Sequence, residues 1–482
     1  MMLETSTVKN APTPAASPRP DPPRYWWLRR LAVVGVLIVV GLAGLRGWWG
    51  REAQRRIDAI IAQAQRRGEP ILPGDFVTPG NAGSVNPVVT LARTFSWSAP
   101  EQAFVNTFNR NAQPTAADRA MIRGIMKAHA AALAQVRAAR GLIGTDEVAP
   151  PKNVRSEVVH LNAWRNLAEV LGLCAVEAHC VGNDAGALEY IRDLGTVANA
   201  VTDENLYLLS YLVAGGITSI ESDSAVQLAE TLTIAPDGSA TPSGAASQTQ
   251  VRSLIADLLD ERRRQAMGVR VWEIERSMAL RAEDDDADMQ IQPPDLAYLG
   301  LPIFRLARVR EARELGPAIA AARQTQFPAA INAAAPVIPY NPLSILENVA
   351  TGGPNWVYGP QYSAFRAIYA GLLTRRVGAT ALAIRLYAVD HEGRFPETLQ
   401  QLVPAYLPTV PVDPFAADGR PLRYVPHRNP PVIYSVGDNG IDDGGAAKWP
   451  AGPDFPSSVW GAADIVFPLR HPTTAPTTSP VR

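Results

Sequence analysis

The run Leu31-Ala-Val-Val-Gly-Val-Leu-Ile-Val-Val-Gly-Leu-Ala-Gly-Leu45 contains no charged residue, and it restricts the chain more than any other feature. Trp26, Trp27, Trp48 and Trp49 flank it, where amphipathic rings settle at a membrane–water boundary. At 1.5 Å per residue, Leu28 to Trp49 is long enough to cross a bilayer, so residues 25–49 are expected to form a single transmembrane helix. A cleaved signal peptide is the competing reading. The run is long for one, Arg46 follows it directly, and no convincing Ala-x-Ala-like site precedes the rest of the chain, so a permanent anchor is preferred. Orientation does not follow from charge: Arg19, Arg24, Arg29 and Arg30 precede the run, and Arg46, Arg51, Arg55 and Arg56 follow it.

Around this anchor, composition assigns the remaining segments. Residues 1–24 and 471–482 are rich in Pro, Ser, Thr and Ala and read as disordered tails. Residues 50–76 read as a stalk, helical to Arg67 with Ile57, Ile60 and Ile61 on one face, then broken at Gly68-Glu-Pro70 and Pro73-Gly74. Residues 77–363 read as a mainly helical external domain, irregular at first over 77–113. Thr115-Ala-Ala-Asp118 forms a capping box opening an alanine-rich helix to about Arg140. Helices are then expected at Ser156–Cys180, Asp184–Val201, Leu206–Leu232 and Gln248–Ala282, with proline-punctuated chain from Pro293 to Pro360. The short connections suit a helical bundle or an irregular helical array.

The net charge of -1, from 45 basic and 46 acidic residues in 482, supplies no field that would draw the chain to nucleic acid. Cys174 and Cys180, six apart on one helix, face different ways and are expected to stay unpaired. No His-Glu-x-x-His, Gly-x-x-x-x-Gly-Lys or Gly-x-Ser-x-Gly element occurs, which lowers the expectation of an enzyme. The six histidines are scattered, and surface or capping roles are expected of them. The acidic run Glu283–Asp288 places Asp284, Asp286 and Asp288 at alternate positions but has Met289 where a calcium loop needs its turn glycine, so it reads as a solvated break.

From Ala364 a long helix is expected, with Leu373, Val377, Ala381, Ile384 and Ala388 as its core-facing stripe, ending at Asp390-His-Glu-Gly393. A short helix over 394–403 and the extended 406–415 follow, and then β-type runs at Pro421–Val425 and Val432–Ser435, an α+β module over 364–470. Gly393-Arg-Phe-Pro396, Val412-Asp-Pro-Phe415, Arg423-Tyr424, Tyr434-Ser-Val-Gly-Asp-Asn-Gly440 and Gly461-Ala-Ala-Asp-Ile465 occur in the order found in the globular domain of the major pseudopilin of type II secretion systems, which this module resembles.

That resemblance implies a structural calcium ion. Carried over by position, its ligands are Asn439, the carbonyls of Val436 and Ile441, an acid from Asp442 or Asp443, and Asp464. The family usually has Asp where this chain has Asn439, which removes a charge from the site. No pseudopilin-like leader stands in residues 1–50, so filament assembly is not expected. The chain is therefore expected to be a noncatalytic inner-membrane protein with its bulk outside the cytoplasm, contacting envelope or secretion-apparatus proteins through the module. A secretion pseudopilin-like component and an extracytoplasmic enzyme without a recognisable motif are the alternatives.

Overall fold

The computed structural model describes residues 24–76, 86–108, 113–142, 154–204, 206–236, 243–281, 301–335, 355–446 and 464–469. The two expected terminal tails, apart from Arg24, and the acidic run 283–288 lie outside the described residues. The architecture is mainly helical, with one N-terminal apolar helix, a two-stranded parallel sheet and a three-stranded antiparallel sheet.

Helix α1 runs unbroken over Trp26–Arg66. Its 41 residues span about 60 Å, twice the ~30 Å of bilayer hydrocarbon. Its most apolar stretch has a mean hydropathy of 2.1 and no buried residue, which makes it long and apolar enough to cross a membrane. Below that stretch the expected stalk does not stand clear. Ala53 and Ala64 are buried, α1 packs on α11 (Leu301–Ala322), and Ile71 and Phe76 are fully buried. Glu69 locks this foot in place through a buried ion pair with Arg276 at 2.8 Å, with Arg323 at 3.5 Å on its other oxygen.

Helices α2 (Pro87–Thr94) and α3 (Ala99–Thr107) occupy a segment expected to be irregular. Both start from local capping: the Asn86 side chain accepts from the Val88 N–H, and the Ser98 N–H and hydroxyl donate to Glu101. The Thr115 capping box is present, with Thr115 N–H donating to Asp118 at 2.8 Å and Asp118 N–H to the Thr115 hydroxyl at 3.2 Å. The helix it opens is interrupted, however. α4 (Ala116–Ala128) ends at His129, whose ring packs on Phe95 and Trp97 and meets Glu101 at 3.3 Å, and α5 (Ala130–Ala138) restarts beyond it.

Helices α6 (Val154–Cys180), α7 (Asp184–Glu204) and α8 (Leu208–Ala229) pack as neighbours, with Cys174 and Cys180 both free thiols. The charged helix expected over 248–282 divides into α9 (Gln248–Leu259) and α10 (Arg262–Arg281). Asp260 turns the chain between them, its carboxylate accepting from the Arg262 side chain at 3.0 Å. Strands β1 (Ile234–Ala235) and β2 (Ala246–Ser247) pair just ahead of α9. α11 and α12 (Phe327–Ala334) then fold out of the proline-punctuated segment.

The last helix, α13, covers Asn355–Asp390 and starts earlier than expected. Leu373, Val377, Ala381, Ile384 and Ala388 are buried as a stripe, but Ala379, Leu382, Ala383 and Leu386 are buried too. It is a central spine, packed against by α8, α9, α12, the 3-10 turn Leu399–Leu402 and the central strand of the three-stranded sheet. That sheet has the order β3 (Arg423–Val425), β4 (Val432–Ser435), β5 (Ile465–Pro468), with Tyr424 opposite Ile433 and Ile433 opposite Phe467. One hydrophobic core runs from Leu188 and Leu254 through α13 to Phe415, Ile433 and Leu469. The sheet unit and the helices therefore share an interior.

Candidate functional site

The carboxylate of Asp413 organises the end of the sheet where the implied metal ligands lie. It is fully buried and accepts from the Phe415 N–H at 3.0 Å, the Ser435 hydroxyl at 2.7 Å, the Val436 N–H at 3.0 Å and Arg423 at 3.2 Å. A buried carboxylate with four donors is satisfied. It pins the start of the following loop to β3 and to the Val412–Phe415 segment. Nothing local to Val412-Asp-Pro-Phe415 marks this role, because the donors to Asp413 come largely from β3 and from the end of β4.

From Gly437 to Gly445 the backbone turns repeatedly through the left-handed region, with Gly437, Gly440, Gly444 and Gly445 all at positive φ. A Cβ on Gly445 would also press the Tyr434 ring at 3.2 Å. Such a loop needs glycine for its geometry.

The implied ligands differ in the partners they already hold. Asp442 is committed elsewhere, accepting from Arg423 at 2.7 Å, the Tyr434 hydroxyl at 3.0 Å and the Gly444 N–H at 3.0 Å. Burial acts to raise its pKa, but these donors outweigh it and hold the carboxyl below the usual range. Asn439 folds inward: its amide oxygen accepts from the Ile441 N–H at 3.0 Å and its amide nitrogen reaches Asp443 at 3.5 Å. Ile441 has an exposed side chain, and Val436 is buried beside Asp413.

Asp464 is fully buried at the start of β5, where Oδ2 accepts from the Gly445 N–H at 2.8 Å. Its Oδ1 is buried and has no hydrogen-bond partner among the described residues. Burial, and then the nearby charges of Asp443 and Asp442, push its pKa up despite N–H groups from Gly445 and Asp443. An orphaned, buried carboxylate oxygen crowded by a second acid is a group in want of a cation or a proton. The chemistry of the donors fits calcium for Asp443, Asp464 and the amide of Asn439, all hard oxygen ligands. Asp442 does not fit, because a guanidinium already occupies it. Among the described residues, no group of three or more His, Cys, Asp or Glu side chains could hold a metal, so any ion here would take backbone and amide oxygens as well.

A second constellation, unforeseen in the sequence, joins three helix ends. His179 Nδ1 meets the carboxylate of Asp184, and His179 Nε2 meets the Thr231 hydroxyl at 2.8 Å. The carboxylate also accepts from the Thr233 N–H at 2.7 Å. The group ties the end of α6 to the start of α7 and the chain after α8, which is structural work of the capping kind expected for the histidines.

A cavity of about 550 Å³ opens elsewhere, between α8, α10 and α13. None of the implied metal ligands lines it. Comparison with protein-family models, with curated proteins and with solved structures finds no match to this chain.

Proposed function

We propose that this chain is a single-pass, membrane-anchored, noncatalytic envelope protein whose C-terminal sheet is stabilised by one calcium ion held near Asp443 and Asp464. The observation that supports the reading is the Oδ1 of fully buried Asp464, unpartnered among the described residues, beside a second carboxylate and a glycine-rich loop. Asn439 and the carbonyls of Val436 and Ile441 complete the ligand set in this reading, and Asp442 serves as the buttress that fixes the loop through Arg423 and Tyr434. The α1 helix anchors the chain in the inner membrane with the sheet outside the cytoplasm, where free calcium is abundant. The sheet end then presents a rigid surface to envelope or secretion-apparatus proteins, in keeping with its resemblance to the pseudopilin globular domain.

A site with two carboxylates and a neutral amide carries little charge, so its dissociation constant should be on the order of 0.1–1 mM. At ~1–2 mM calcium, linkage gives about 0.4–1.8 kcal/mol of stabilisation. The test is thermal melting of the full chain in detergent with calcium, with magnesium and with chelator, for the native sequence and for Asp464→Asn. Calcium should raise the native melting temperature, whereas Asp464→Asn should melt higher than native in chelator and lose its response to calcium. Equal native melting in all three conditions would remove the ion from this account.

A further inference from the structure

The cavity between α8, α10 and α13 has apolar walls and charged groups set at intervals. Phe365, Tyr369 and Tyr211 supply aromatic surface. Four guanidinium groups line it, from Arg264, Arg366, Arg375 and Arg376. Three of them are matched: Arg366 with Asp438, Arg375 with Glu221 at 3.2 Å, and Arg376 with Glu261 at 2.7 Å. Arg264 has no hydrogen bond or ion pair from its guanidinium among the described residues. Burial, and then the like charge of Arg375, lower its pKa to about 10, so it remains protonated at neutral pH. Arg264 and Arg375 share the one nearby carboxylate of Glu221, and the Arg264 guanidinium lines the cavity without a bonded partner among the described residues.

Two glycines keep the walls of the cavity open. Gly215 on α8 and Gly371 on α13 lie mid-helix, where glycine weakens a helix relative to alanine. Some mid-helix glycines in this fold are explained by close approach, since a Cβ on Gly378 would sit 3.3 Å from the Ser222 carbonyl and one on Gly195 would sit 2.8 Å from Glu221, whereas Gly124 on α4 and Gly316 on α11 stand open. A Cβ added at Gly215 or Gly371 would meet nothing within 4 Å. Their effect is to leave space, and both line the cavity.

We propose that this cavity is a binding site for a small amphipathic anion, an apolar body bearing one carboxylate or phosphate group, with Arg264 meeting the anion and Phe365 and Tyr369 holding the apolar part. A volume of about 550 Å³ lies within the range of small-molecule sites, which run roughly 300–1,000 Å³ and are mostly apolar with few placed polar groups. Guanidinium is suited to planar, bidentate recognition of such head groups. This site shares none of the implied calcium ligands and does not rest on the function proposed above.

The experiment uses the full chain in lipid nanodiscs and reads the fluorescence anisotropy of 2-naphthoate and 2-naphthyl phosphate, with 2-naphthol as the neutral probe of the same body and empty nanodiscs as background. Saturable binding of at least one anion is expected, at least tenfold tighter than the naphthol, with the two anions separating a carboxylate from a phosphate site. Arg264→Gln should weaken anion binding at least tenfold and bring it close to that of naphthol. Gly215→Leu and Gly371→Leu should abolish binding of every probe, and because leucine is the better helix former they should melt no lower than the native chain. The proposal fails if neither anion binds above the nanodisc background, if naphthol binds as tightly as the anions, if Arg264→Gln leaves the anion affinity unchanged, or if folded Gly371→Leu still binds.

Discussion

Replacing Arg375 by Met should strand a buried acid at the centre of the fold. Its guanidinium meets Glu221 at 3.2 Å, with the two side chains 4% and 2% exposed. It also donates to the Asp260 carbonyl at 3.3 Å and to the Asp257 carbonyl, neutralising the negative end of α9. Removing one partner of a buried pair costs about 3–5 kcal/mol, and losing the two carbonyl contacts adds about 1–2 kcal/mol. At roughly 2 °C per kcal/mol for a large chain, the first part alone lowers the melting temperature by about 6–10 °C. The double variant Glu221→Leu with Arg375→Met should recover that part and retain only the smaller deficit at α9. Burial holds the Glu221 pKa above its ordinary 4.5 even with Arg375 and Arg264 nearby. A group raised in the folded state contributes stability below its unfolded pKa and loses it as pH rises through the folded value. Without Arg375 the folded value rises further, so the deficit of Arg375→Met should shrink as pH falls from 7 toward 5, by up to about 1.4 kcal/mol per unit of pKa change. Thermal melts of native, single and double variants at pH 5, 6 and 7 read all of this. A single variant within about 2 °C of native at pH 7, or a double variant as damaged as the single one, would refute the reasoning.

Two further outcomes follow from particular residues. Gly195→Ala, a change that stabilises an ordinary helix by about 1 kcal/mol, should here destabilise by about 1–3 kcal/mol because the new Cβ lies 2.8 Å from a Glu221 oxygen; a melting temperature above native would contradict this. Reporter fusions after Gly68 and at the C-terminus should both read as extracytoplasmic, and a cytoplasmic signal from either would overturn the proposed orientation.

The helical class and the apolar N-terminal helix were legible because both rest on local composition. A run without charge needs no tertiary information, and Thr115-Ala-Ala-Asp118 carries its own donors and acceptors. Ser98-Ala-Pro-Glu101 carried the same signal and opens α3, but lay in a stretch that Asn, Ser and Pro made look irregular. The breaks at His129 and Asp260 were not legible, since helical periodicity continues through both. What interrupts it comes from elsewhere: the Phe95 and Trp97 rings and Glu101 for His129, the α13 side chain of Arg375 for the carbonyl of Asp260. The stripe on α13 was readable from Leu and Ile, whereas Ala379 and Ala383 give no indication of burial until α8 and α9 are seen against them.

The site was legible only as far as residue type reaches. Two adjacent acids, Asp442 and Asp443, are interchangeable in a sequence, and the distinction is made by Arg423 on another strand, which claims Asp442 at 2.7 Å and leaves Asp443 beside Asp464. The cavity left still less trace, because Gly215, Arg264 and Gly371 come from three separated helices and none belongs to a motif. A mid-helix glycine does not point to the cavity by itself, since Gly124 and Gly316 are equally open and line none of it. The same nonlocality makes 364 a poor boundary. α13 begins at Asn355, and Leu373, Val377 and Leu382 share one core with α8, α9 and the sheet. Cutting there would expose the α13 surface that α8 and α9 cover. The sheet end also reaches back across that boundary, since Arg376 bridges Glu261 at 2.7 Å and the Val412 carbonyl at 2.8 Å, while Arg366 of the cavity wall pairs with Asp438. The cavity wall and the sheet end therefore share arginine side chains, and neither can be repositioned without moving the other's partner.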